Sequence, residues 1–368
     1  MNIRFELPLW YDLHTHFRQG PAMAAYIAAH KAMGCAGVLA MPNTKPPVAR
    51  VTGANTDESW SIESYLADLK DAGGSGFADI IVPLYLTKDT TPQMIREGAD
   101  SGLLRAAKYY PPHGTTNADH GCPLDTLMDN GVLAAMEECG VVLCIHGEMH
   151  GISGPAYFDQ DTNAEDKFYR TYMRTLTQRF PGLKVVCEHI TTRTAAEFVR
   201  MSGPNVAATI TPQHLLYTVG DLVQGFKYHL FCLPLVKFDA DRAALRQAVT
   251  DPNNTKFFAG TDSAPHTTKA TPCGCAAGCF TGGIAPQLYA EGFEAAGVDL
   301  SKTAGQAAFR RFLCENGPGF YGIPVPEKTF VLEREIQPVT ILNTGHGEEV
   351  MPLPLGMGRE TLSWSVML

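Results

Sequence analysis

Residues 10–18 read WYDLHTHFR: two histidines one residue apart at the end of an apolar run, with an arginine two positions further on. In a β-strand, side chains at i and i+2 point to the same face, so His14 and His16 offer two imidazoles to a single metal ion. The spacing alone is weak, because 12 histidines in 368 residues supply about 0.4 such pairs by chance. Its meaning depends on what the rest of the chain sets beside it.

Similar short apolar runs recur along the chain. They are AGVLAMP from Ala36, ADIIVPLYL from Ala78, LLRAAKYY from Leu103, GVVLCIH from Gly140, LKVVCEH from Leu183, VAATIT from Val206 and KFFAGTD from Lys256, which with LWYDLH makes eight. Between them lie helix-sized stretches such as TPQMIREGADSG, LMDNGVLAAMEECG and TTRTAAEFVRMSG, several opening on Thr or Asp and closing on Gly as capped helices do. Eight strands, each followed by a helix or a helix-sized loop, predict an α/β fold of the (β/α)8 TIM-barrel type. A doubly wound sheet is the competing architecture, but no Gly-rich phosphate fingerprint follows the first strand. Without an internal repeat or a Ser/Gly linker, residues 1–368 are expected to form one barrel domain. A short extension from about residue 324, containing KTFVLE and PVTILN, adds a strand or two.

Composition narrows the function classes. The hydrophobic fraction of 45% is ordinary for a globular protein, and a net charge of -9 with no basic cluster argues against a nucleic-acid binder. The start lacks the apolar core of a signal peptide, and no run approaches the ~20 apolar residues of a membrane span, so a cytoplasmic protein is expected. Several of the 10 cysteines, Cys144 and Cys187 among them, sit inside strand-like runs and read as small buried hydrophobes. Cys273, Cys275 and Cys279 have a C-x-C-x3-C spacing without a fourth ligand, so packed free thiols are expected rather than a zinc knuckle. HGE at 146–148 followed by PCGC superficially matches a zinc deaminase pattern, but one residue rather than two separates Cys273 from Cys275.

Barrel enzymes build their sites at the C-terminal ends of the strands. His14 and His16 end the first run, Asn43 follows the second, Lys108 lies in the fourth, His146 ends the fifth, His189 the sixth and Asp262 the eighth. Any one of these alone is an ordinary strand-end residue; four histidines, a lysine and an aspartate on one rim predict a metal centre. Lys108 fits a snorkelling or paired cation, but desolvation lowers an amine's pKa, and a neutral amine reacts with CO2 to give a carbamate. A carbamate is a bidentate anion able to bridge two cations.

DLHTHFR, MPNTKPP, AAKYYPPHGTTN, CIHGE, CEHITT, ATITPQHL and GTDSAPH together resemble the compact dihydroorotases of the amidohydrolase superfamily, in the family's order from the first strand to about Phe280. The resemblance implies two Zn2+ ions, with His14, His16, Lys108 and Asp262 on one, His146 and His189 on the other, and N6-carboxylated Lys108 and a hydroxide bridging them. It implies Asp262 as general base and acid, and substrate contacts from Arg18, Asn43, Leu233 and His266. A main-chain contact falls at Ala277 or its neighbour Ala276, because the spacing around PCGCAAGCF is shifted. The activity implied is the reversible cyclisation of N-carbamoyl-L-aspartate to L-dihydroorotate by a homodimer. Segment 111–121, PPHGTTNADHG, shows no apolar anchor and is expected to be a mobile lid whose Thr115 and Thr116 reach the substrate. The alternatives are another cyclic amidohydrolase of the dihydropyrimidinase or hydantoinase kind, and a non-catalytic scaffold.

Overall fold

A computed structural model describes the chain at residues 3–272 and 274–368. Nine parallel strand segments form the barrel: β1 (Trp10–Thr15), β2 (Cys35–Ala40), β3 (Asp79–Ile81), β4 (Leu84–Tyr85), β5 (Ala106–Tyr109), β6 (Val142–Ile145), β7 (Val185–Cys187), β8 (Val206–Ile210) and β9 (Phe257–Ala259). β3 and β4 are halves of the run expected as one strand. Pro83 lies between them and has no N–H for a ladder, so β3 pairs with β2 while β4 pairs with β5. The barrel closes just beyond β9: Asp262 N donates to His14 O (2.8 Å), His16 N donates to Ser263 O (2.9 Å), and Thr15 and Ser263 form a parallel bridge.

The two-residue period of the strands sorts the core into layers. Tyr11, Leu13, Ala36, Ile81, Ala106, Val142, Cys144, Val186, Ala207 and Phe258 fill the barrel interior, with Phe320, Tyr321 and Ile323 packed against them. Alternate residues such as Val38, Ala107, Leu143, Val185 and Phe257 face the surrounding helices. In β1 the register against β2 shifts between Asp12 and Thr15. Leu13 therefore stays with the inner apolar layer while His14 and His16 both reach the polar rim above it.

Helix ends follow local chemistry. Thr91 and Thr192 cap their helices by accepting from Met94 N and Ala195 N. The stretch LMDNGVLAAMEECG, expected as a single helix, is instead broken at Gly131, whose φ of 84° no helical residue adopts, into Leu124–Asp129 and Val132–Cys139. Outside the barrel, Arg4–Pro8 forms a strand that the sequence reading did not assign. It pairs antiparallel with Thr329–Glu333, which pairs with Ser365–Met367, so the expected KTFVLE strand is held by the opposite end of the chain. Part of PVTILN, Leu342–Asn343, pairs with Glu349–Val350. Among the described residues no helix is long and apolar enough to cross a membrane.

Candidate metal and substrate site

One ligand atom each from His14, His16 and Asp262 lies within 4.8 Å of the others, a group that could hold a metal ion. His16 Nε2 is 3.0 Å and His14 Nε2 3.4 Å from Asp262 Oδ1. His189 packs against both His14 and His146, with ring centroids 4.8 Å apart in each case, so the four imidazoles form one cluster. Lys108 is fully buried, its register two positions beyond Ala106 turning it inward, and its Nζ has no hydrogen-bond partner among the described residues. His189 and Asp262 hold φ of 39° and 48°, a strained region for non-glycine residues that clusters at functional sites. Gly260 lets the seam approach this closely, because a Cβ there would lie 2.7 Å from the Thr209 side chain and 3.0 Å from His14 Cβ.

A polar layer that the sequence reading missed holds the histidines from behind. His14 Nδ1 donates to Glu188 Oε2 (2.7 Å), and Thr209 Oγ1 donates to the same oxygen (2.6 Å) while accepting from His189 N (2.7 Å). His146 Nε2 donates to Glu148 Oε2 (3.1 Å), and Lys237 Nζ lies 3.9 Å from the other oxygen of that carboxylate. His16 Nδ1 donates to Asn43 Oδ1 (2.8 Å). Such partners fix the tautomer and aim the remaining nitrogen of each ring. The sequence signal for Glu188 is its place two positions after the inward Val186, whose phase it shares. Asp12 ties the seam below, accepting from Thr261 N (2.9 Å), Thr261 Oγ1 (2.6 Å) and His30 Nε2 (3.1 Å).

Burial and neighbouring charge set the protonation of this cluster. Burial pushes His16 down to about 4 and, with help from Lys108, holds His189 well below the ordinary histidine range. His146 is lowered by burial as well. Neutral rings of this kind have the lone pairs that metal ligation requires. Burial alone would lower His14 too, but the Glu188 and Asp262 carboxylates together outweigh it and raise the ring above its usual value. Burial would raise Asp262; the His14 and His16 side chains set against it reverse this and keep it well below the usual carboxylate range. The Lys108 amine is lowered by burial.

The residues expected at the substrate gather beside this cluster. Arg18 Nη2 lies 3.4 Å from His266 Nε2, and Arg18 Nε donates to Pro265 O (3.4 Å). His266, lowered to about 4 by burial and then by Arg18, donates from Nε2 to Ala277 O (2.8 Å). A neutral His266 in this arrangement offers an acceptor, not a donor, at Nδ1, so contact with a carboxylate requires Nε2–H to leave Ala277. Ala276 N donates to Lys269 O (2.8 Å), and Gly278 N donates to Phe231 O (3.0 Å), which brings the half-buried Leu233 segment against the Ala277 segment. Thr115 and Thr116 are half-buried. Their loop is anchored after all: Asn43 Nδ2 donates to Thr116 O (2.9 Å), Asn117 Nδ2 donates to Asn43 O (3.0 Å), and Ala118 is buried against Tyr85 and Tyr110. Of the CxCx3C cysteines, Cys275 and Cys279 are free thiols and Cys273 lies outside the described residues.

No protein-family model matches the chain. Over 363 residues it is 42% identical to a dihydroorotase of Halorhodospira halophila, covering 97% of each chain. The chain belongs to the dihydroorotase family. Its fold is also that of a Saccharomyces cerevisiae dihydroorotase solved in complex with 5-fluoroorotic acid, at 26% identity and a TM-score of 0.84, covering 99% of this chain and 98% of that one. An L-hydantoinase (dihydropyrimidinase) from Arthrobacter aurescens shares the fold at 13% identity, with a TM-score of 0.73 over 99% of this chain and 84% of that chain. Family membership makes the chain a cyclic amidohydrolase of a metal-dependent kind, and His14, His16 and Asp262 form a group that could hold a metal ion.

Proposed function

We propose that this chain catalyses the reversible cyclisation of N-carbamoyl-L-aspartate to L-dihydroorotate, the dihydroorotase step of pyrimidine biosynthesis, with two Zn2+ ions. The observation that carries the reading is the convergence of His14, His16, Lys108, His146, His189 and Asp262 on one end of a barrel whose sequence is 42% identical to a dihydroorotase. The residues fit such a centre. Lys108 Nζ and His189 Nδ1 are buried polar atoms without protein partners, which a carbamate and a metal would supply. His14, His16, Asp262 and carboxylated Lys108 would hold one ion, and His146, His189 and the same carbamate the other. Bound there, the ions would supply a water acidified toward neutral pH and a Lewis acid for the amide carbonyl.

The chain's own groups do the rest. Asp262, kept ionised by the two histidines, is the base that takes a proton from water during ring opening and delivers it to the departing ring nitrogen; in ring closure the same proton runs back. Arg18 pairs with the substrate carboxylate, while Asn43 and His266 fix which face of the ring meets the metals. Leu233 packs over the ring, and Ala277 offers a main-chain contact. The ligand of the yeast relative, 5-fluoroorotic acid, is also a carboxylated pyrimidine, which favours this substrate class over the uncarboxylated rings of hydantoinases. The same reading takes residues 1–368 as one domain and the enzyme as a cytoplasmic homodimer, on family resemblance.

The test is an ultraviolet assay of dihydroorotate hydrolysis alongside metal analysis. Turnover with two zinc ions per chain is expected, and a metal-bound chain without turnover would favour the scaffold. Ring closure consumes one proton, so the equilibrium reached with the enzyme should move about tenfold toward dihydroorotate per unit fall in pH. A ratio independent of pH would exclude this reaction. Thr115→Ala combined with Thr116→Val should lower kcat about 100-fold, because these hydroxyls close the site against water, while both zinc ions stay bound. A normal kcat in the double variant would leave the threonines as connector residues.

A further inference from the structure

We propose that Tyr110 is a further substrate-binding residue, its phenolic hydroxyl donating a hydrogen bond to an oxygen of the carboxylate-bearing substrate. The inference rests on the reaction assigned above. Tyr110 stands two positions after Lys108 and four after Ala106, so it continues the inward phase of β5 one layer nearer the mouth of the barrel. Its ring centroid is 5.1 Å from Lys108 Nζ and 6.3 Å from the His146 ring, which places it directly over the metal-binding residues.

The hydroxyl is the unusual part. Tyr110 is 1% exposed, and its Oη has no hydrogen-bond partner among the described residues, although a buried phenol ordinarily finds one. An ordinary phenol keeps its proton near neutral pH, so the group offers a donor. It lies within electrostatic reach of both Asp262 and Arg18, the base and the carboxylate clamp, and the substrate must lie between these two.

Tyr85 provides the contrast. Its ring is tilted at 37° against Tyr110 with centroids 5.0 Å apart, and its hydroxyl also lacks a partner among the described residues, but it packs with Ala118 on the loop side. Of the two, Tyr110 is the one whose ring lies against Lys108 and His146. The substrate's polar perimeter is rich in carboxylate and carbonyl oxygens, all acceptors, and a phenol donor matches them. Arg18, Asn43 and His266 do not use up those acceptors, since each oxygen has two lone pairs.

Tyr110→Phe removes only the hydroxyl and keeps the ring against Lys108 and Tyr85. The expected result is an unchanged metal content, a melting temperature of the substrate-free protein no lower than wild type, and a KM for dihydroorotate raised about 10- to 100-fold, the range for a hydrogen bond to a charged group, with a smaller change in kcat. An unchanged KM would overturn the proposal. So would a loss of zinc or of Lys108 carboxylation in the variant, since the hydroxyl would then serve the carbamate, and so would a lowered melting temperature with KM unaltered, the mark of a structural role. Wild-type turnover measured in parallel separates the two readings. An active wild type with an indifferent Tyr110→Phe sinks this inference alone, whereas an inactive wild type removes the reaction and this inference with it.

Discussion

Lys108→Ala is expected to lower kcat by at least about three orders of magnitude and to leave one zinc ion per chain instead of two. The reasoning starts from burial. An ammonium group at 0% exposure without a hydrogen-bond partner is held at a large desolvation penalty, and that penalty lowers the amine's pKa. The neutral amine adds to CO2, forming an N–C bond and releasing one proton, and the buried cation becomes an anion that faces His14, His146 and His189. Those three rings and Asp262 remain in the variant, so the His14, His16 and Asp262 group should still take up one ion. Small carboxylic acids, which supply two oxygens in the space left by the side chain, should restore part of the activity and the second ion together. Full metal content and full activity in the variant would remove the carbamate from the mechanism.

Arg18→Met should reduce kcat/KM for dihydroorotate about 100- to 1000-fold while both zinc ions stay bound. Among the described residues Arg18 makes no carboxylate pair of its own: it touches the Pro265 carbonyl at 3.4 Å and lies 3.4 Å from His266 Nε2. A half-buried guanidinium with such thin protein contacts is poised for an anion that enters the site. Methionine keeps the length and the apolar packing of the side chain, so a fall confined to carboxylated substrates would separate recognition from folding. The check is the same measurement on a cyclic amide that lacks the carboxylate. Equal losses on both substrates would make Arg18 a structural residue.

The site was legible in the sequence where its geometry is local. Strand period is fixed by backbone dihedrals, so His14 and His16 could be set on one face of a strand before any contact was known, although it took the register shift after Asp12 to bring that face to the rim. The eight-strand count survived for the same reason, and its one break, between β3 and β4, falls at a proline visible in the sequence. Residue type supplied the chemistry, because imidazoles, a carboxylate and a buried amine at one rim suit metal ligation whatever holds them there.

What only the tertiary structure decided is which groups hold those ligands. His14 and Glu188 are 174 positions apart, His16 and Asp262 246 apart, and they meet because the barrel closes, which no local periodicity encodes. Asn43 reads from sequence as a substrate donor, yet the fold also sets it between His16 Nδ1 and the Thr116 carbonyl, so one side chain orients a metal ligand and latches the loop. Ala118, one small residue in a polar segment, gives no hint of an anchor until Tyr85 and Tyr110 are packed around it. The sequence by itself determined the strand phases and the chemical identity of the rim. Closure of the barrel determined the partners, because a hydrogen bond depends on distance and angle in space and the chain's order constrains neither beyond a few residues.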